Sequence, residues 1–250
     1  MMNLIDISKE KQILLNQHLG QGKPNASLVF FDSDPETPHY PIKNIIDFLI
    51  LTSPKYKCGD GFTIDEAYSH PTTSDSARFI SRLTLAIKHK DSRWVNNLSN
   101  LGNISINKHI FESNNNKDIC LINLRPLPYH TRDTWVYSNI NIKEYNKTWN
   151  FTLKRQVIDE LKTNRISYFK SFFEYSLGLI IGVGDKENKK KVLEQIYPKI
   201  KFEEIDLITH KVYFSKDHAV ILSDHFNNRN GIKLEGLRHL YNFIIDNKLA

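Results

Sequence analysis

Leu177-Gly178-Leu179-Ile180-Ile181-Gly182-Val183-Gly184, followed by the Lys-rich segment from Lys186 to Ile196, decides the fold. The apolar run is short, carries β-branched residues and closes on glycine, which predicts a buried strand. The segment after it predicts a helix. Toward the C-terminus, Val212-Tyr213-Phe214 and Ala219-Val220-Ile221-Leu222 flank a turn at Lys216-Asp217, the pattern of a hairpin. Its second arm ends in Ser223-Asp224-His225. A last helix from about Leu234 to Asp246 lines up Leu237, Leu240, Tyr241 and Ile244.

Toward the N-terminus the alternation continues. Asn150 to Thr163 predicts a helix through Leu153, Val157, Ile158 and Leu161. Asp118 to Asn123 is a second buried strand, halted by Pro126 and Pro128 in the stretch that follows. Asn96 to Asn116 reads as irregular. Thr73 or Ser74 caps a helix carrying Phe79, Ile80, Leu83 and Ile87 on one face. Thr52 to Thr73 reads as a long loop, and Ile42 to Leu51 as a helix. Leu28-Val29-Phe30-Phe31 is a buried strand, and Ser8 to Leu19 a short helix before it. Short apolar runs alternating with amphipathic helices predict an α/β fold: a three-layer α/β/α sandwich around a central, mostly parallel four-stranded sheet. No linker divides the chain, so residues 1–250 are expected to form one domain, with 1–26 as an N-terminal helical extension.

Composition narrows the classes. The 250 residues are 40% hydrophobic and 25% charged, as in a globular protein with a core. Only 10 Gly and 9 Pro, without period, exclude collagen-like and low-complexity chains. Two cysteines, Cys58 and Cys120, exclude a disulfide framework and a four-cysteine metal or iron–sulfur site. The ten histidines lack metal-ligand spacing, so neither metal nor cofactor is expected. No run is long enough to span a bilayer and the first residues do not resemble a secretory signal, so a cytoplasmic protein is expected. Thirty-four basic against 28 acidic residues give a net charge of +6, which permits a polyanionic partner without requiring one.

In open parallel sheets, ligands bind beyond the carboxyl ends of the strands. The residues there are Asp32-Ser33-Asp34-Pro35, Asn123-Leu124-Arg125-Pro126, Gly182-Val183-Gly184-Asp185 and Ser223-Asp224-His225. Each has a structural use when taken singly: Asp34 starts a turn, Asn123 satisfies loop amides, His225 caps a strand end. Jointly they set a carboxylate, an amide, a glycine turn and a histidine on one edge. The Gly182-Val183-Gly184 run is no dinucleotide fingerprint, because Glu187 stands where the third glycine belongs. No phosphate-binding P-loop and no Gly-x-Ser-x-Gly elbow occurs.

In order and placement these segments resemble the uracil-DNA glycosylase superfamily. Ser33-Asp34-Pro35, with His39-Tyr40 beyond, resembles the family's Asp-Pro motif after the first strand. Gly61-Phe62-Thr63 resembles the segment whose Phe stacks on the flipped base. Cys120-Leu121-Ile122-Asn123 resembles the Leu-Leu-Leu-Asn strand, whose Asn reads the uracil edge. Ser223-Asp224-His225 resembles the closing His motif. The likeness spans roughly Ser27 to the C-terminus. It departs where Gly-Gln before Asp-Pro and Pro-Ser after the His are missing.

The resemblance implies a base-flipping N-glycosylase acting on uracil-containing or damaged DNA, and a monomer. It gives Asp34 and His225 catalytic roles, with Asp34 holding the water and His225 supporting charge on the leaving base. Phe62 and Asn123 would bind the base, and Arg125, Arg229 and Lys233 would grip phosphates. The altered motifs leave two further readings open. One is a non-catalytic nucleic-acid or protein-binding module on the same fold. The other is a nucleoside or nucleotide hydrolase.

Overall fold

The computed structural model describes residues 5–32, 46, 55–57, 63–65, 75–96, 119–127, 135–150, 160–176, 178–226 and 232–250. The four strands read from the sequence are β2 (Leu28–Asp32), β5 (Ile119–Asn123), β6 (Leu179–Val183) and β9 (Val220–Ser223). They lie side by side in the order β5-β2-β6-β9, every neighbouring pair parallel. Their registers are tight: Phe30 stands opposite Leu121 and Ile181, and Gly182 opposite Leu222.

The sheet is wider than the predicted four strands. Among the described residues it has nine, in the order β3-β4-β1-β5-β2-β6-β9-β8-β7. The added strands are β1 (His18–Gly22), β3 (Lys55–Lys57), β4 (Thr63–Asp65), β7 (Glu203–Asp206) and β8 (Lys211–Ser215). β8 pairs antiparallel with β9, as the hairpin pattern predicts. β7 carries Glu203, Glu204 and Asp206 in exposed positions, charges that suit an outermost strand. β3 and β4 correct the reading of Thr52 to Thr73 as loop throughout; at three residues each they are too short to show alternation.

Helices cover both faces. In a two-residue period, Leu28 and Phe30 join one core, and Val29 and Phe31 the other. The first core takes in α2 (Asp75–His89), α3 (Arg93–Asn96) and α7 (Leu234–Asp246), through Phe79, Leu83, Val95, Leu237 and Ile244. The second takes in α1 (Lys9–Gln17), α5 (Glu160–Tyr175) and α6 (Lys186–Ile196), through Leu15, Phe169, Phe172, Val192 and Ile196. Phe31 sits 5.3 Å from Phe169 and 5.8 Å from Phe173, centroid to centroid. Each such ring contributes about 1.5–3 kcal/mol by its burial.

The N-terminal segment belongs to this body. Ser8 caps α1 by accepting from Lys11 N at 3.2 Å. The chain then leaves the helix and runs as β1 against β5, where sequence patterning alone extends the helix to Leu19. Gly20 makes this turn of events possible, because a Cβ there would overlap the Leu121 carbonyl. Of the helix predicted over Asn150 to Thr163, the part from Glu160 is described and helical, and the helix runs on to Tyr175; 151–159 lie outside the described residues. A further helix, α4 (Ile142–Thr148), is capped by Asn141, whose Oδ1 accepts from the amides of Lys143 and Glu144. Of the predicted helix Ile42 to Leu51 only Ile46 is described, helical and buried.

Candidate functional site

The strand order sets the location. From β2 the chain crosses to β5 on one side, and later to β6 on the other. The crevice between the carboxyl ends of β2 and β6 is therefore the switch point of the parallel block. The turn leaving β6 there has two successive residues in the left-handed region, Gly184 (φ +68°) and Asp185 (φ +45°, ψ +42°). Gly184 N donates to Ser223 O at 2.9 Å, tying the turn to the end of β9.

His225 packs its imidazole directly against Gly184, so closely that a methyl group there would overlap the ring. The rest of His225 is exposed. Among the described residues neither of its ring nitrogens has a hydrogen-bond partner. Its carbonyl accepts from Ile232 N at 2.8 Å, which brings exposed Lys233, the residue before α7, beside it in the backbone.

From the other side comes Arg125. It lies two residues beyond β5 and reaches across β2 to Asp185, with Nη2 3.3 Å from Oδ2. Both side chains keep between a fifth and a quarter of their exposure. Asp185 also accepts from Asn188 Nδ2 at 2.8 and 2.9 Å. Arg125 is thus engaged in holding two strand ends together, in addition to any grip on phosphate.

Asn123 is the last residue of β5, opposite Asp32 in register, and half-buried. Its side-chain amide has no partner among the described residues. β5 and β9 are three inter-strand steps apart, roughly 14 Å at about 4.8 Å each. Asn123 and His225 therefore start from well-separated strands, and the Gly184–Asp185 turn is what His225 and Arg125 both reach. Asp34, Phe62 and Arg229 lie outside the described residues.

Two buried cations that sequence reading passed over hold this edge. Arg165, on α5, is fully buried and makes six bonds, all to backbone carbonyls. Nε donates to Leu124 O (2.9 Å), Nη1 to Leu15, Asn16 and His18 O (3.3, 2.7 and 3.0 Å), and Nη2 to Asn123 and Arg125 O (2.5 and 3.4 Å). No carboxylate is among these partners. Burial pushes its pKa down to about 9, and it is still charged at neutral pH. The acceptors are two carbonyls in the last turn of α1, which the helix itself leaves unpaired, that of His18 at the start of β1, and three successive carbonyls, Asn123 to Arg125, at and just beyond the end of β5. Arg165 thereby fixes the backbone that carries Asn123 and Arg125.

Lys189, on α6, does the same beneath β6. It is fully buried, donates from Nζ to Val183 O (3.0 Å) and to Gly184 O, and lies 5.5 Å over the Phe31 ring. A signal for both was present. Arg165 stands in line with Leu161, Phe169 and Phe172, and Lys189 with Val192, Leu193 and Ile196. A cation inside an apolar stripe needs acceptors in the core.

Among the described residues no cluster of His, Cys, Asp and Glu could hold a metal ion, and no helix is long and apolar enough to cross a membrane. Set against protein-family models, curated proteins and solved structures, the chain matches none.

Proposed function

We propose that the carboxyl edge of the parallel block is a base-excision site, hydrolysing the N-glycosidic bond of uracil or a related damaged base in DNA. The single observation that carries the reading is a shared edge. Asn123 and Arg125, at and just beyond the end of β5, and His225, a hundred residues later beyond β9, stand along one sheet edge on either side of its switch point. An amide without a partner among the described residues suits an edge that reads a base, since it offers one donor and one acceptor to uracil O4 and N3–H. An exposed imidazole whose ring nitrogens have no partner among the described residues suits a donor to the base oxygen as negative charge develops there. Asp34, two residues beyond β2 in sequence, is proposed to hold the water. Phe62 is proposed to stack on the flipped base, which returns roughly 1–3 kcal/mol of the unstacking cost. Lys233 and Arg229 are proposed as phosphate contacts, with Arg125 contributing only as far as its pairing with Asp185 permits.

The test is incubation of the full chain with a uracil-containing single-stranded oligonucleotide, followed by alkali. Strand breakage at the uracil supports excision. Retarded mobility without breakage supports a binding module, and cleavage of free deoxyuridine alone supports a nucleoside hydrolase.

A further inference from the structure

The turn between β7 and β8, Leu207 to His210, rests on the first turn of α7. A Cβ on Gly236 would lie 3.0 Å from His210 Nδ1, 3.0 Å from Thr209 Oγ1 and 2.9 Å from Ile232 Cγ2, so only a glycine lets the turn come this near. The turn holds its own shape. Leu207 N donates to His210 O (2.9 Å), Thr209 N to Leu207 O (2.8 Å) and Ile208 N to Asp206 Oδ1 (2.9 Å). Leu207 is the buried apolar anchor, in the same core as Leu237. Thr209 and His210 make the polar part of the seam with α7.

His210 is half-buried there, in a place that suits a neutral ring better than a cation. Its Nδ1 lies 3.0 Å from Thr209 Oγ1, but its Nε2 is buried with no hydrogen-bond partner among the described residues. A neutral imidazole carries one N–H and leaves its other nitrogen bare; an imidazolium carries a second N–H, which when buried needs an acceptor. The charges around it sit on β7, α6 and α7 and beyond β9. Asp224 and Asp206 favour a charge on His210, and Lys186 and His239 oppose it. Asp224 is already shared with Lys186, 3.2 Å away, and Lys211, the next residue in the chain, is taken up by Glu204 at 2.6 Å. His239 Nε2 is also buried without a hydrogen bond, 3.9 Å from Glu235 Oε1. Burial outweighs the two carboxylates and holds His210 below the ordinary histidine value of 6.5.

We propose that His210 is an acid-released latch: neutral, it lets the β7–β8 turn dock on the first turn of α7, and protonation lifts the turn away. A histidine whose charged form is disfavoured when docked stabilises docking above its ordinary value, and that stabilisation is lost as pH falls through the docked-state value. Release therefore comes below pH 6.5. It uncovers the first turn of α7, just after Ile232, whose amide donates to His225 O at 2.8 Å. The latch is joined in this way to the carboxyl edge, whatever that edge binds.

The test is NMR titration of the full chain from about pH 7.5 to about pH 5, a range in which histidine is the side chain that ordinarily changes charge. Two signals are followed: the His210 ring, and the nuclear Overhauser contacts between the Thr209 side chain and the Gly236 α-protons. The ring should titrate with a midpoint below 6.5, and the contacts should be lost with the same midpoint. His210→Asn, neutral throughout, should keep the contacts at both ends of the range. His239→Gln should still lose them, which separates the two histidines. Contacts that survive at the acid end in the unaltered chain, a His210 midpoint at or above 6.5, or loss of contacts on acidification of His210→Asn would each overturn the latch. Contacts kept at the acid end in His239→Gln would assign the release to His239 and overturn it equally. Should His210→Asn fail to fold, the ring midpoint and the contacts of the unaltered chain still decide.

Discussion

Replacing Arg165 by Met keeps an unbranched apolar stem in a buried slot but removes all five N–H donors. Six carbonyl oxygens, of Leu15, Asn16, His18, Asn123, Leu124 and Arg125, then lose a partner. Three of the bonds are 2.9 Å or shorter. A buried group left unpaired costs about 1–3 kcal/mol. Taking the low end for those three gives about 3 kcal/mol. Deleting a desolvated charge that has no carboxylate partner returns part of this, so the expected net loss is about 2–3 kcal/mol. That is a large share of the roughly 5–15 kcal/mol that holds a domain together. In urea the midpoint should fall by about 1 M, given slopes of about 1–3 kcal/mol/M. Arg165→Lys keeps the charge but offers three donors from one point, and should recover less than half of the loss. A Met variant whose midpoint lies within about 0.2 M of the parent, or a Lys variant that restores it fully, would refute the cage as the support of this edge.

Gly184→Ala should destabilise by about 1–2 kcal/mol from its left-handed backbone alone, and by more from the collision with His225. The double change Gly184→Ala, His225→Ala should regain the second part only; thermal melts of the three variants measure both. Cys120 is wholly buried on β5 and burial pushes its thiol far up, so in a Cys58→Ser chain it should resist a thiol reagent at pH 8 until urea unfolds the protein. Modification in the native state, at the rate of a free thiol, would show that β5 opens.

Much of the fold was legible because its signals are local. The runs at Leu28–Phe31, Ile119–Asn123, Leu179–Val183 and Val220–Leu222 are mostly apolar at consecutive positions because both sheet faces are covered, and helix α7 carries a clean apolar stripe. The outer strands were not legible. β3 and β4 are three residues long, and β7 is mostly charged, so neither period nor propensity marks them. β1 was hidden because Leu15 and Leu19 keep helical spacing, while the exit from the helix depends on how closely Gly20 approaches a strand about a hundred residues away. The edge that gathers Asn123, Arg125 and His225 could be read from where the strands stop. Arg165 and Lys189 could not be assigned a partner, since their acceptors are backbone carbonyls, which every residue has.

Base excision at this edge is tested most directly by mass-spectrometric detection of the free base released from oligonucleotides carrying a single uracil or a single cytosine at one position. The unaltered chain should release uracil. Asn123→Asp should release less, because uracil O4 loses the amide donor, and should begin to release cytosine, whose exocyclic amine gains an acceptor. No released base from either oligonucleotide, or uracil release that Asn123→Asp leaves unchanged, would contradict the assignment.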